Sequence, residues 1–161
     1  MYREYARSLV GLARLFVDHR DAAEDVVQEA FIRLSRSLHR IDDPSKAAAY
    51  LRSIVLNLAR DHNRRGLLAL RHARPADDLD PAGVDETITA LHRHARVVAE
   101  LRALPRRQRD CIVLHYLLEL TVAEIADTLG LSPNSVKTHL KRGLATLRAA
   151  PDLAAQLEED R

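Results

Sequence analysis

Tryptophan is absent from the 161 residues, phenylalanine occurs twice and tyrosine four times. The core must therefore be built from Leu, Ala, Val and Ile. Five glycines and six prolines are few, which argues against a turn-rich β fold and for helices. A single cysteine excludes an intramolecular disulfide and any Cys-rich zinc site, and is compatible with a reducing compartment. No apolar run approaches the roughly 18 residues that a membrane span needs. The opening "MYREYARSLVGLARLF" has no small-residue cleavage site. A cytoplasmic location without membrane insertion is expected. The net charge is only +2, so a polyanion-binding surface has to come from local clusters. There is no Gly-rich phosphate loop, nucleophilic triad or paired-carboxylate site, so neither catalytic residues nor a cofactor are expected. Cys111 with His115, and His92 with His94, give partial ligand sets at most, so no metal site is expected. Cys111 reads as a small core residue.

What remains is an ordinary globular composition, 47% hydrophobic and 30% charged, with helical periodicity. Tyr5, Leu9, Leu12 and Phe16 fall on one helix face. Asp21 with Glu24 has the D-x-x-E spacing of a capping box. It opens a second helix, about Ala22 to Leu38, that buries Val27, Ala30, Phe31 and Leu34. A third helix, about Ser45 to Arg65, should stop at Gly66. Residues 67–92 read as a linker with an acidic cluster: Asp77, Asp78, Asp80, Asp85 and Glu86. Helical pattern resumes at about Arg93. A helix after Pro105 carries Ile112, Val113, Tyr116 and Leu117 as its apolar residues.

The segment "TVAEIADTLGLSPNSVKTHLKRGLATLR" carries the chemistry of a helix-turn-helix. Thr121 and Glu124 form a capping box, and Gly130 suits the left-handed turn residue. Ser132 is an N-cap with Pro133 at the first helical position. Val136, Leu140, Leu144 and Leu147 hold the second helix to the core. Asn134, Ser135, Lys137, Thr138, Lys141 and Arg142 are then left facing outward, where a recognition helix meets bases and phosphates. No acid occurs between Asn134 and Ala150.

Two earlier helices offer polar faces. The second shows Glu24, Asp25, Gln28, Glu29 and Arg33; by itself it reads as a solvated helix with i,i+4 pairs such as Glu29–Arg33. The third shows Ser53, Asn57, Arg60, Asp61, Arg64 and Arg65, in which Asn is a base-capable donor and acceptor and Arg suits phosphates.

Three stretches carry a resemblance. "DAAEDVVQEAFIRL" (Asp21 to Leu34) resembles the polymerase-binding helix of bacterial sigma-70 factors, most closely the extracytoplasmic-function (ECF) group. "AYLRSIVLNLARDHNRRG" (Ala49 to Gly66) is similar to that group's promoter −10 helix. "LPRRQRDCIVLHYLLELTVAEIADTLGLSPNSVKTHLKRGLATLR" resembles its −35-binding region. The resemblance implies an all-α chain of two small helical domains: region 2 in residues 1–66, a linker in 67–92, region 4 in 93–150 and a tail in 151–161. It implies that Glu24, Asp25, Gln28, Glu29 and Arg33 dock core RNA polymerase, chiefly its β′ subunit with β as a further contact. Asn57, Arg60, Asp61, Arg64 and Arg65 would meet the −10 element, and Asn134, Ser135, Lys137, Thr138, Lys141 and Arg142 the −35 element. An anti-sigma factor is a further partner the family brings.

The loop Leu38 to Lys46 corresponds to the one that captures an unstacked −10 base, with Arg40, Ile41, Asp42, Ser45 and Lys46 as candidates. Extruding a base costs a few kcal/mol, so it needs a fitted pocket. The acidic linker corresponds to a segment placed in the polymerase's RNA channel, or else serves only as a solubilising connector. In the family the −10 and −35 elements lie about 17 base pairs apart, roughly 60 Å. A linker of about 25 residues reaches at most roughly 85 Å when extended and about 25–30 Å as a relaxed coil. Departures from the family are Tyr50 in place of Trp, where a packing role is kept, and Leu56 in place of Arg, which removes one cation from the DNA face. The family also usually carries several more residues before the first helix. The readings from other classes are a LuxR-like regulator that acts without polymerase, and a signalling protein whose main task is sequestration by an anti-sigma factor.

Overall fold

The computed structural model describes the backbone of residues 2–70 and 86–150 and the side chains of residues 5–65 and 95–150. Among these residues there are seven α-helices and no strand: α1 (Tyr2–Arg14), α2 (Arg20–Ser37), α3 (Ala47–Leu70), α4 (Glu86–Ala103), α5 (Arg106–Tyr116), α6 (Val122–Leu129) and α7 (Pro133–Ala149). The all-α expectation holds. Most of the acidic cluster of the linker (Asp77, Asp78, Asp80, Asp85) and the tail 151–161 lie outside the described residues.

Helices α1, α2 and α3 pack pairwise into one group, and α5, α6 and α7 into another. The first group is sealed by Leu9, Leu12, Ala30, Leu51, Val55 and Leu56, all essentially inaccessible to water. Cys111, Leu114, Ile125 and Val136 do the same for the second. The groups are joined, because α6 packs directly on α3 and the buried apolar residues of both form one continuous cluster.

Local chemistry explains several boundaries that differ from the sequence reading. Helix α2 starts at Arg20, and its N-cap, His19, contributes no side-chain cap. The Asp21–Glu24 capping box does not form, since both residues already lie inside the helix. Asp21 instead places negative charge in the first turn, where the helix dipole favours it. Glu24 accepts a hydrogen bond from Arg20 Nε at 2.8 Å. Helix α3 is preceded by a 3₁₀ turn at Pro44–Lys46 capped by the Asp43 side chain. It runs through Gly66 to Leu70. An internal glycine costs only about 1 kcal/mol relative to alanine, and the following "LLAL" are strong helix formers. Helix α4 likewise begins at Glu86, ahead of the expected Arg93.

Candidate nucleic-acid and protein interface

Helices α6 and α7 are each started by a side-chain cap. Thr121 Oγ1 accepts from the Glu124 backbone N–H, and a Glu124 carboxylate oxygen accepts from the Thr121 backbone N–H at 2.8 Å. These bonds, the backbone one first and the Thr121 hydroxyl second, hold the Glu124 carboxyl below the ordinary glutamate range. Gly130 ends α6 at φ 64°, ψ 40°, a conformation that other L-residues adopt only with strain. The Ala126 carbonyl then accepts from both Gly130 and Leu131 N–H. Ser132 caps α7 by accepting from the Ser135 N–H, and Pro133 occupies the first turn. Val136 is fully buried beneath. This is the helix-turn-helix expected from the sequence.

On α7, Asn134, Lys137, Thr138, Lys141 and Arg142 are exposed, whereas Ser135 is half-buried. Ser135 differs because its hydroxyl lies 2.9 Å from Ser132 Oγ, inside the cap. Thr138 Oγ1 donates to the Asn134 carbonyl at 3.0 Å, so its hydroxyl is partly spent on its own helix. The exposed face carries the cations Lys137, Lys141 and Arg142 and no carboxylate, a surface suited to phosphates and base edges.

The polar faces of α2 and α3 converge. A groove of about 690 Å³ between them is lined by Asp25, Glu29 and Arg33 of α2 and by Asp61, His62 and Arg65 of α3. Glu24, Asp25, Gln28 and Arg33 are exposed, and Glu29 is half-buried. Arg33 Nε donates to Glu29 Oε1 at 2.7 Å, the i,i+4 pair expected from the sequence. Asn57, Asp61, Arg64 and Arg65 are exposed on α3.

Arg60 departs from the expectation. It is only partly accessible and forms an ion pair with Asp110 of α5, which is completely buried. Burial lowers the Arg60 pKa, and the charge of Asp110 opposes that fall. Leu56 departs too, with 1% of its surface exposed. It fills the core, so the expected DNA-face cation would have had no open surface at that position. Tyr50 is 43% exposed, so it is not the packed counterpart of a core aromatic. Tyr116 and Leu117, read as apolar helix residues, are exposed at the end of α5.

Tyr50 instead forms part of a hollow of about 450 Å³ beside the loop 38–46, together with Arg40, Ile41, Asp42, Asp43 and Lys46. Four of the five loop candidates line it. Ser45 does not, because its hydroxyl and its N–H both donate to Asp43 Oδ1, at 2.7 and 2.9 Å. Those two bonds, the hydroxyl one first, pull the Asp43 carboxyl below its usual range. Sequence reasoning missed Tyr50 here because it weighed the ring only as a core substitute. Its position one turn into α3, next to the loop, was the available signal.

Comparison with known proteins accords with this arrangement. Residues 1–66 match the family model for sigma-70 region 2, and residues 94–147 match that for sigma-70 region 4. The chain is 31% identical over 151 residues to an RNA polymerase sigma-E factor of Streptomyces avermitilis, covering 91% of this chain and 83% of the relative. It is 29% identical over 140 residues to the ECF RNA polymerase sigma factor SigW of Bacillus subtilis, covering 78% of this chain and 73% of the relative. Among solved structures, CnrH in complex with the cytosolic domain of CnrY superposes with a TM-score of 0.68 at 27% identity, over 99% of this chain and 86% of that one.

Proposed function

The chain belongs to the bacterial sigma-70 family, in its ECF group, and from that premise we propose how its surfaces divide the work. As an alternative sigma factor it binds core RNA polymerase, recognises −35 and −10 promoter elements and promotes transcription initiation. Region 2 is assigned to residues 1–66, a connector to 67–92, region 4 to 93–150 and a tail to 151–161. The polymerase supplies the chemistry of RNA synthesis, so this chain acts without a catalytic residue and works in the cytoplasm.

Polymerase docking is assigned to Glu24, Asp25, Gln28, Glu29 and Arg33, an acid-rich face suited to a basic partner surface. The −35 element is assigned to Asn134, Lys137, Thr138, Lys141 and Arg142, with Ser135 acting through the cap. The −10 element is assigned to Asn57, Asp61, Arg64 and Arg65, with Arg60 available once it leaves Asp110. The hollow beside the loop 38–46 is the place for a captured base, with the Tyr50 ring as its stacking surface. An anti-sigma factor is a further partner; the CnrH structure that this chain resembles is likewise a complex, with the cytosolic domain of CnrY.

The observation that carries the reading is the pairing, in one chain, of a capped helix-turn-helix bearing a one-signed face with an acid-rich groove between α2 and α3. A LuxR-like regulator needs the first and has no use for the second. Run-off transcription with core polymerase tests it. Adding the chain should yield a promoter-specific transcript and a co-migrating complex, and absence of both overturns the reading. Asp25→Lys should weaken polymerase binding and leave −35 DNA binding unchanged.

A further inference from the structure

The basic face of α7 continues past the residues assigned to the −35 element. Lys137, Lys141, Arg142 and Arg148 are all exposed. Lys137, Lys141 and Arg148 fall on one stripe, at i, i+4 and i+11. None of these cations forms an ion pair or a side-chain hydrogen bond with another described residue. Like charges one turn apart repel, so the described residues leave this face uncompensated.

The chain leaves α7 at the end of that stripe. Ala150 is extended, at φ −71° and ψ 115°, and Pro151 cannot continue the helix. The segment that follows, "PDLAAQLEEDR" (151–161), carries the acids Asp152, Glu158, Glu159 and Asp160 against a single cation, Arg161. Its length suits a return along the helix. Lys141 lies about 12 Å back from Ala149 and Lys137 about 18 Å, at 1.5 Å per residue. Residues 151–158 span up to roughly 26 Å when extended.

We propose that the acidic run 158–160 docks on the Lys137, Lys141 and Arg148 stripe of α7, so that the free chain covers with its own carboxylates the surface that DNA takes. The consequence for DNA rests on the −35 assignment; the docking itself does not. Carboxylates and phosphates draw the same charge-assisted bonds from Lys and Arg. A short tether supplies an effective concentration of about millimolar order, so weak charge pairs are sufficient. The acids at 77–86 have the same sign, but α4, α5 and α6 separate them from α7, whereas 151–161 is joined to it directly. A duplex presents far more charge than the acidic run, so DNA displaces it. Docking lowers the affinity for every duplex by one common factor and does not choose between sequences.

The test compares the full chain with the triple variant Glu158→Gln, Glu159→Gln, Asp160→Asn and with a chain ending at Ala150, each checked by circular dichroism. A carbodiimide joins a carboxylate to a lysine only where the two touch. In the full-length monomer at low salt it should link 158–160 to Lys137 or Lys141, and the linked peptides, identified by mass spectrometry, should vanish at high salt. Absence of that link overturns the docking, as does linkage of the same lysines to Asp77, Asp78, Asp80 or Asp85 in its place. Fluorescence anisotropy supplies the second readout. Both variants should bind a −35 duplex and a scrambled duplex more tightly, by about three- to tenfold if the docked form holds roughly 70–90% of the chain. The gain should shrink as salt screens the pairs. Should the shortened chain lose helical signal, the triple variant decides. Tighter binding without the link reports net charge alone and refutes the docking. Unchanged affinity in both variants refutes the competition with DNA. A link in a chain that, with or without its acids, binds no duplex refutes the −35 assignment and leaves the docking standing.

Discussion

Arg52 and Thr128 lie 76 residues apart in sequence, yet Arg52 Nε donates to Thr128 Oγ1 at 3.0 Å in a site closed to water. The same hydroxyl donates to the Glu124 carbonyl at 2.8 Å. Thr128 therefore both terminates a charge from α3 and stays tied to its own helix, α6. The first prediction follows from this geometry. Thr128→Val keeps the volume and removes the acceptor, leaving the Arg52 Nε–H without it inside the interface. A buried donor left unpaired costs about 1–3 kcal/mol, and more when the group is charged. The midpoint of urea unfolding should fall accordingly, while Thr128→Ser should retain most of the stability.

Lys141 is exposed on a helix face without acids. Lys141→Ala should weaken binding to a −35 duplex and reduce the slope of log affinity against log salt by about 1. Equal losses on cognate and scrambled duplexes identify a phosphate contact. A loss confined to the cognate duplex identifies base readout. Fluorescence anisotropy across a salt series separates the two.

The capping box makes α6 sensitive to acid. Glu124 has its folded pKa depressed by the Thr121 bonds, so its contribution is complete above the ordinary glutamate value and disappears as the pH falls through the lower folded value. Glu124→Gln, which can still accept from the Thr121 N–H, should flatten that part of the stability–pH curve. Thr121→Ala should remove about 1 kcal/mol at neutral pH. Chemical denaturation at several pH values measures both.

Cys111 is buried, and burial first, with the Asp110 charge second, pushes its thiol up to about 11. At pH 8 about a thousandth of it is thiolate, whereas an unfolded thiol titrates near 8.5. Labelling by a maleimide should therefore be slow in the native chain and should rise with denaturant along the unfolding curve. Because the folded pKa is raised, this group's contribution to stability is complete below the unfolded value and is lost as the pH rises toward 11. Rapid labelling under native conditions would contradict the burial.

Short-range chemistry was readable from the chain alone. The Thr121–Glu124 box, the Gly130 turn, the Ser132–Pro133 start of α7 and the burial of Val136 depend on residues within one or two turns of each other, so spacing is sufficient to specify them. The same holds for which side of α7 carries charge. Order along the chain also carried the family, because the motifs of α2, α3 and α7 are contiguous stretches.

Contacts between distant segments were decided by the tertiary structure. No periodicity shows that Arg60 turns inward to Asp110, since an arginine on a polar helix face looks the same whether it meets water, a phosphate or a carboxylate brought from α5. Leu56 read as a missing cation because the sequence does not say how much of α3 is covered. Tyr50 read as packing because aromatic character does not reveal a hollow formed by a neighbouring loop. Gly143 gave no signal at all, yet a Cβ there would sit 2.5 Å from Ile112 Cδ1, so the approach of α7 to α5 depends on its absence. Spacing along one helix encodes which face is apolar. What that face meets depends on where the rest of the chain is packed, and that is settled only when burial and desolvation are satisfied for all the helices together.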